Sequence, residues 1–257
     1  SFLRNKYEKS GSINHLIIDN LLPNEIASQL NFDFPEEEEL NHLNKIAENK
    51  YVGIYFSDGH KLVQECLYAF QEKNLLEIMS KITNIKHLIS DTELYAGGVS
   101  SMSKGCFVNP HIDNSHDRNL ENYRRLNLLY YVNKDWNPKN DGGELVLYPE
   151  GIKKKEKEII CKFNRLVIMK TDNKSIHGVK KILSKTKTRK CISNYYFSKK
   201  SPSGGRYYHS TSFYGFRKEF IKGTYLELNA FARTYFKKVI YKITGKSIST
   251  DYHRKSN

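Results

Sequence analysis

No part of the 257-residue chain approaches the ~20 consecutive apolar residues that a bilayer-crossing helix needs. No apolar signal-peptide core lies near the start either, so a cytoplasmic protein without a membrane span is the expectation. Cysteine is scarce and scattered: Cys66, Cys106, Cys161 and Cys191 include no C-x-x-C pair. That spacing disfavours a disulfide scaffold and a zinc module and fits a reducing compartment. Pro/Ser-rich linkers and internal repeats are missing too, and one domain spanning 1–257 is expected. Acidic residues are under-represented, 28 against 42 Lys and Arg, for a net charge of +14. Much of the excess lies late, with thirteen Lys and Arg against three acidic residues from Lys199 to Asn257. A solvated basic surface is the plain reading, and an anionic substrate or surface is the next. Nucleic acid is not expected, because no RNP, zinc-finger or helix-turn-helix signature accompanies the charge.

The first 90 or so residues read as one short strand followed by helices. His15–Asp19 is the strand candidate. Pro23-Asn24-Glu25 opens a helix, with Asn24 placed to cap it. Residues Glu36 to Asn49 carry acids early and Lys later, which suits a helix dipole. Leu62, Val63, Cys66, Leu67 and Phe70 recur at three- and four-residue spacing, an amphipathic helix running toward Ile82 with a break near Asn74.

From about residue 91 to 200 the period changes. Thr92–Ala96, Gly105–Pro110, Arg125–Asn133, Glu144–Tyr148, Arg165–Lys170, Ile176–Ile182 and Arg189–Ser198 are short strand-type runs separated by turn residues. Lys153–Lys157 reads as a hairpin tip, and Ser115–Tyr123 as a flap. So many strands without helical crossovers indicate a sandwich or barrel. The remaining 201–257 is a basic extension in which Leu226–Ile243 is helical.

The chemistry concentrates in Pro110-His111-Ile112-Asp113. Two residues apart on an extended strand, His111 and Asp113 share a side. Alone the pair fits a hydrogen-bonded loop as well as a metal site. A second histidine, such as His177 in Ser175-Ile176-His177-Gly178, would complete the two nitrogens and one carboxylate of a non-haem iron centre. His177 by itself also fits a structural role. His116 and Asp117 are adjacent, point to opposite faces, and read as loop residues. On the last strand, alternation groups Arg189 with Cys191, Ser193, Tyr195 and Phe197. Facing inward, Arg189 implies a bound anion, and a carboxylate end matches its donor fork. The alternative puts Lys190 inward and Arg189 in solvent.

These residues, in this order, resemble the Fe(II)/2-oxoglutarate-dependent oxygenases, within them the prolyl-4-hydroxylase-like branch. The resemblance runs over residues 12 to 200. It is carried by Asn20-Leu21-Leu22-Pro23, Gly105 to Asp113, Leu126 to Asn133, Gly142-Gly143-Glu144-Leu145, His177-Gly178-Val179 and Arg189 to Ile192. The family favours Ser where this chain has Cys191. It implies a mostly β fold, a double-stranded β-helix (jelly roll) core with N-terminal helices and a helical C-terminal extension. It implies Fe(II) on His111, Asp113 and His177, and 2-oxoglutarate reaching from the iron to Arg189, with ascorbate as an accessory reductant. Tyr95, Asn109, Asn127 and Tyr130 become candidates for contacting cosubstrate or substrate, with core or sheet packing as their other reading. The implied activity hydroxylates an unactivated C–H bond of a small-molecule or peptidyl substrate, while O2 and 2-oxoglutarate yield succinate and CO2. A prolyl hydroxylase acting on a peptide is one form of it. A non-catalytic jelly-roll binding module and a cupin-type metalloenzyme are the competing classes.

Overall fold

A computed structural model of the protein describes residues 1–54 and 58–244. In chain order its elements are α1 (Phe2–Glu8), β1 (His15–Asp19), α2 (Asn24–Phe32), β2 (Asn41–Lys45), β3 (Glu48–Gly53), α3 (Lys61–Ala69), α4 (Lys73–Thr83), β4 (Ile89–Ser90), β5 (Gly98–Met102), β6 (Phe107–Ile112), β7 (Tyr123–Tyr131), α5 (Pro138–Asp141), β8 (Leu145–Leu147), β9 (Lys157–Ile159), β10 (Arg165–Lys170), β11 (His177–Val179), β12 (Arg189–Ser198), β13 (Ser212–Phe213) and α6 (Phe220–Thr244). The strands hydrogen-bond in the order β1-β10-β7-β12-β5-β3-β6-β11-β8-β9, with β2 on β3, β4 on β12 and β13 on β6. The described pairings are antiparallel, and the sheet curls into a jelly roll. Side chains of β5, β7 and β12 meet those of β6, β8 and β11 around one cavity.

Strand alternation divides the apolar residues between two cores. Leu126, Leu128 and Tyr130 of β7, Leu166 and Ile168 of β10, and Ile192 and Tyr196 of β12 face outward. There they pack on Leu30 of α2, Val63 and Leu67 of α3, and Met79 and Ile82 of α4. The intervening Tyr131, Val167, Met169 and Cys191 face inward against Leu145, Leu147 and Ile159. Burial on both faces explains why these strands read as nearly continuous apolar runs. No helix among the described residues is long and apolar enough to cross a membrane.

Several local expectations are corrected. Residues 36–49 are not a helix. Glu36 and Glu39 form a capping box around a single 3-10 turn, and the chain then enters the β2–β3 hairpin. There β3 bridges β5 and β6 and joins the two halves of the roll, so partner strands override the helix-like charge order. Thr92–Ala96 is a turn rather than a strand. The Asp91 carboxylate accepts from the backbone N–H groups of Tyr95, Ala96 and Gly97 at 3.0, 2.8 and 3.1 Å. Asn24 does not cap α2. Pro23 stands at the N-cap without a side-chain bond, and Asn24 Oδ1 accepts from Asn164 Nδ2. The break in the long N-terminal helix falls between Ala69 and Lys73, and α1 was not foreseen. Within Ser115–Tyr123, the segment read as a flap, Leu120 lines the cavity, Asp117 N donates to Asn122 O and Ser115 N donates to His209 O. The C-terminal helix begins at Phe220, and the end of the basic extension, 245–257, lies outside the described residues.

Candidate metal centre

Strand β6 delivers His111, and Asp113 follows immediately after it. The antiparallel partner β11 starts at His177, whose Cα registers directly opposite His111. The close approach depends on Gly178, where a Cβ would lie 2.9 Å from Val108 O and 3.0 Å from Pro110 N. His111 Nε2 is 3.6 Å from Asp113 Oδ1, and His177 Nε2 is 3.7 Å from Asp113 Oδ2. The three donor atoms fall within 4.8 Å of one another.

The second ring nitrogens are already committed. His111 Nδ1 donates to Asn109 O at 2.9 Å, and His177 Nδ1 donates to Ser175 O at 3.0 Å. Carbonyl acceptors fix the Nδ1–H tautomer, so both Nε2 lone pairs point at the shared centre, as metal-binding imidazoles require. Burial, then the nearby His111, lowers the pKa of His177 to about 4 and keeps it neutral. Burial alone would raise Asp113, but Arg124, His177 and His111 outweigh it and hold the carboxyl far below the usual range. Asp113 Oδ2 is nevertheless buried with no hydrogen-bond partner. Two imidazoles with Nδ1 bound to carbonyls, beside an ionised carboxylate with an orphaned oxygen, are a donor set that fits a divalent metal.

Arg189 opens β12 on the same cavity. Its guanidinium is buried, donates from Nε to Gly143 O at 2.9 Å and from NH2 to Tyr131 Oη at 3.1 Å, and packs against Met102 Sδ. No acidic side chain among the described residues pairs with it. A buried cation without a counter-ion is costly unless an anion arrives, so the residues present fit a carboxylate ligand. Gly143, at φ +72°, permits the turn, and a Cβ there would run into Ile182 Cδ1.

Arg124 was not anticipated. Its NH1 is 3.4 Å from Asp113 Oδ1, and the guanidinium lies 4.1 Å from the Tyr195 ring centroid. Alternation from Asn127 would send Arg125 inward instead. A bulge opposite Tyr196 and Phe197 inserts Arg125 and reverses the facing, so no simple period in the sequence reveals it.

The remaining candidates separate. Tyr95, Asn127 and Leu129 line the cavity. Tyr130 does not: its hydroxyl donates to Asn164 Oδ1 at 2.9 Å in the outer core, and the next residue, Tyr131, is the one on Arg189. Asn109 also points away. Its Nδ2 donates to Tyr214 O and Glu219 Oε2, and its Oδ1 accepts from Lys222 Nζ, which ties β6 to the start of α6. His116 is not among the cavity-lining residues, and its ring lies tilted against that of Tyr123 with centroids 4.3 Å apart. The cavity, about 660 Å³, is closed on one side by the C-terminal extension. There β13 pairs with β6, the Phe213 ring sits 5.1 Å from that of His111, and Tyr225, Asn229 and Arg233 of α6 complete the wall.

Comparison with known proteins agrees with this geometry. Residues 97–197 match the family model described as the 2OG-Fe(II) oxygenase superfamily, about two-fifths of the chain. Egl nine homolog 1 of Homo sapiens is 32% identical over 112 residues, covering 44% of this chain and 24% of that protein. The chain therefore spans about a quarter of the length of that curated relative. A crystal structure of a Pseudomonas putida prolyl-4-hydroxylase superposes with a TM-score of 0.57 at 16% identity, covering 76% of this chain and 98% of the other. A prolyl hydroxylase from Trichoplax adhaerens, in complex with a hypoxia inducible factor peptide fragment, gives 0.56 at 17%, covering 80% and 91%. At such identities the likeness establishes the fold.

Proposed function

We propose that this chain, whose residues 97–197 match the 2OG-Fe(II) oxygenase superfamily, is an Fe(II)- and 2-oxoglutarate-dependent hydroxylase of the prolyl-4-hydroxylase-like branch. One observation carries the reading. A His-Asp-His set, His177 buried and the other two partly so, with both Nε2 atoms turned to Asp113 and an orphaned carboxylate oxygen, shares a cavity with a buried arginine that has no counter-ion among the described residues. His111, Asp113 and His177 would hold the metal, and Arg189 with the Tyr131 hydroxyl would hold the distal carboxylate of 2-oxoglutarate. When bound, iron and cosubstrate supply O2 activation coupled to decarboxylation, yielding succinate, CO2 and a hydroxylated product. The protein's share is positioning. Asn109 O and Ser175 O orient the two imidazoles, Arg124 keeps Asp113 ionised and aimed, and the inward apolar side chains keep bulk water from the centre.

The substrate is a peptide or small molecule entering beside α6, and the wall there supports an anionic one. Of the cavity cations, Lys45 and Lys50 pair with Glu48, Arg124 pairs with Asp113, and Lys237 stands in the same wall as Arg233. Arg189 serves the cosubstrate. Arg233 has no acidic partner among the described residues: it donates to Thr211 O, and its Nε is buried without a bond. The free thiols of Cys66, Cys106, Cys161 and Cys191 support a reducing compartment, the cytoplasm. The direct test is succinate release from 2-oxoglutarate with added Fe(II), and its loss in His111→Ala at unchanged melting temperature. Absence of metal binding by the intact chain refutes the reading.

A further inference from the structure

Strand β6 does not reach the metal centre in regular register. From His177 to Val179 strand β11 runs two residues, while its partner β6 runs three, from His111 back to Val108. The extra residue falls at Asn109-Pro110, and such a bulge re-aims the side chain beyond it. On a regular strand Val108 and His111 would face opposite sides, yet both line the cavity. A bulge disrupts the ladder locally, and Pro110 has no N–H to give. These two residues need other anchors.

The C-terminal extension supplies them. Tyr214 N donates to Pro110 O at 2.8 Å. Asn109 is 0% exposed, and both ends of its amide are held from the extension. Its Nδ2 donates to Tyr214 O at 2.8 Å and to Glu219 Oε2 at 3.0 Å, while its Oδ1 accepts from Lys222 Nζ at 2.9 Å. Glu219 and Lys222 pair with each other at 3.1 Å. Glu219 Oε2 also accepts from Phe216 N at 3.0 Å, and Lys222 Nζ lies 4.6 Å from the Phe107 ring centroid. Neither Glu219 nor Lys222 lines the cavity. The backbone carbonyl of Asn109 is the acceptor for His111 Nδ1. The matching acceptor for His177, Ser175 O, belongs to the loop between β10 and β11, where Ser175 Oγ donates to Asp172 Oδ1 at 2.7 Å.

We infer that Glu219 and Lys222 are positioning residues that act through Asn109 to fix the His111 ring, a role that rests on His111 being a metal ligand as proposed above. Removing either side chain leaves a buried amide atom of Asn109 short of a partner. The bulge then relaxes, and the carbonyl that orients His111 moves while the one that orients His177 stays. The test uses the whole chain loaded with Co(II), in which the Nδ1 protons of the two ligand histidines give two exchangeable, paramagnetically shifted resonances. In Glu219→Ala, and in Lys222→Met, which keeps the stem over Phe107, one resonance is expected to move or vanish by solvent exchange. The other keeps its wild-type position, and Co(II) binds about tenfold more weakly. Thr234→Val removes the Ser210–Thr234 hydroxyl pair and loosens α6 without touching Asn109, so both resonances should stay in place. Unchanged resonances in the Glu219 and Lys222 variants overturn the proposal. So does equal displacement of both resonances, or the same single displacement in Thr234→Val. A wild-type chain that binds no Co(II) refutes the metal-centre reading itself, and the proposal with it.

Discussion

Replacing Arg189 by Met keeps the length and apolar stem of the side chain while deleting its charge and donor fork. The wild-type guanidinium already has Gly143 O and Tyr131 Oη as partners, and its remaining donors face the cavity. A carboxylate docking there gains charge-assisted bonds worth about 1.5–3 kcal/mol each. Losing one member of such a buried pair costs about 3–5 kcal/mol, which at ~1.4 kcal/mol per decade weakens 2-oxoglutarate by roughly a hundred- to a few thousand-fold. Trp136 is the only tryptophan. Its ring and the Arg189 stem both border the point where a Gly143 Cβ would lie, at 3.4 and 3.2 Å, so its fluorescence reports on the site. Titrating 2-oxoglutarate into Mn(II)-loaded protein should give a saturable change in wild type, none in Arg189→Met at the same concentrations, and weakened binding in Arg189→Lys. Ligand at a hundred times its Kd stabilises wild type by about 2.7 kcal/mol, a rise of roughly 5–10 °C in Tm that the Met variant should lack. A Met variant that binds within tenfold of wild type refutes the assignment of Arg189 as the anion site.

Tyr131→Phe should weaken 2-oxoglutarate about tenfold by removing the hydroxyl beside the guanidinium. Tyr130→Phe should leave binding unchanged and cost about 1 kcal/mol of stability in urea melts, since only Asn164 loses a partner. Gly178→Ala presses a methyl group against Val108 O and the Pro110 nitrogen, so β11 must shift from β6. Mn(II) titration followed by electron paramagnetic resonance should show at least about tenfold weaker binding. His60 Nε2 meets Glu39 at 2.9 Å, and although burial opposes it, this carboxylate and Asp33 O raise the imidazole pKa. Its contribution is therefore complete below the ordinary histidine value and is lost as pH rises through the raised one. Melting curves across neutrality should show that loss in wild type and not in His60→Gln.

Much of the site is legible because a strand fixes facing by parity. Arg189, Cys191, Ser193 and Tyr195 line the cavity as alternation along Arg189–Ser198 requires, and the strand has those same bounds in the structure. Parity needs an anchor, though, and β7 had none. Tyr130 and Tyr131 are equivalent in composition, and only pairing with β12 shows which ring faces inward. Arg124 was hidden for a related reason, since one bulge residue reverses the count. Residues 36–49 failed differently: local charge order favoured a helix, while the edges of β5 and β6 needed a strand. The wall built by Tyr208 to Arg233 has no local signal, because its meaning arises from contact with a strand about a hundred residues earlier.

That last contact has a consequence for the order in which the protein is made. Phe213 pairs with His111 across about a hundred residues, so at 5–20 residues per second roughly 5–20 s separate the two during synthesis. His177 emerges inside that interval, and all three histidine and aspartate donors exist before β13 and α6 do. From His177 to Phe213 is 36 residues, so for roughly 2–7 s at that rate a growing chain has its full donor set while the fourth side is still unmade. Shielded chemistry begins only when the final segment closes it.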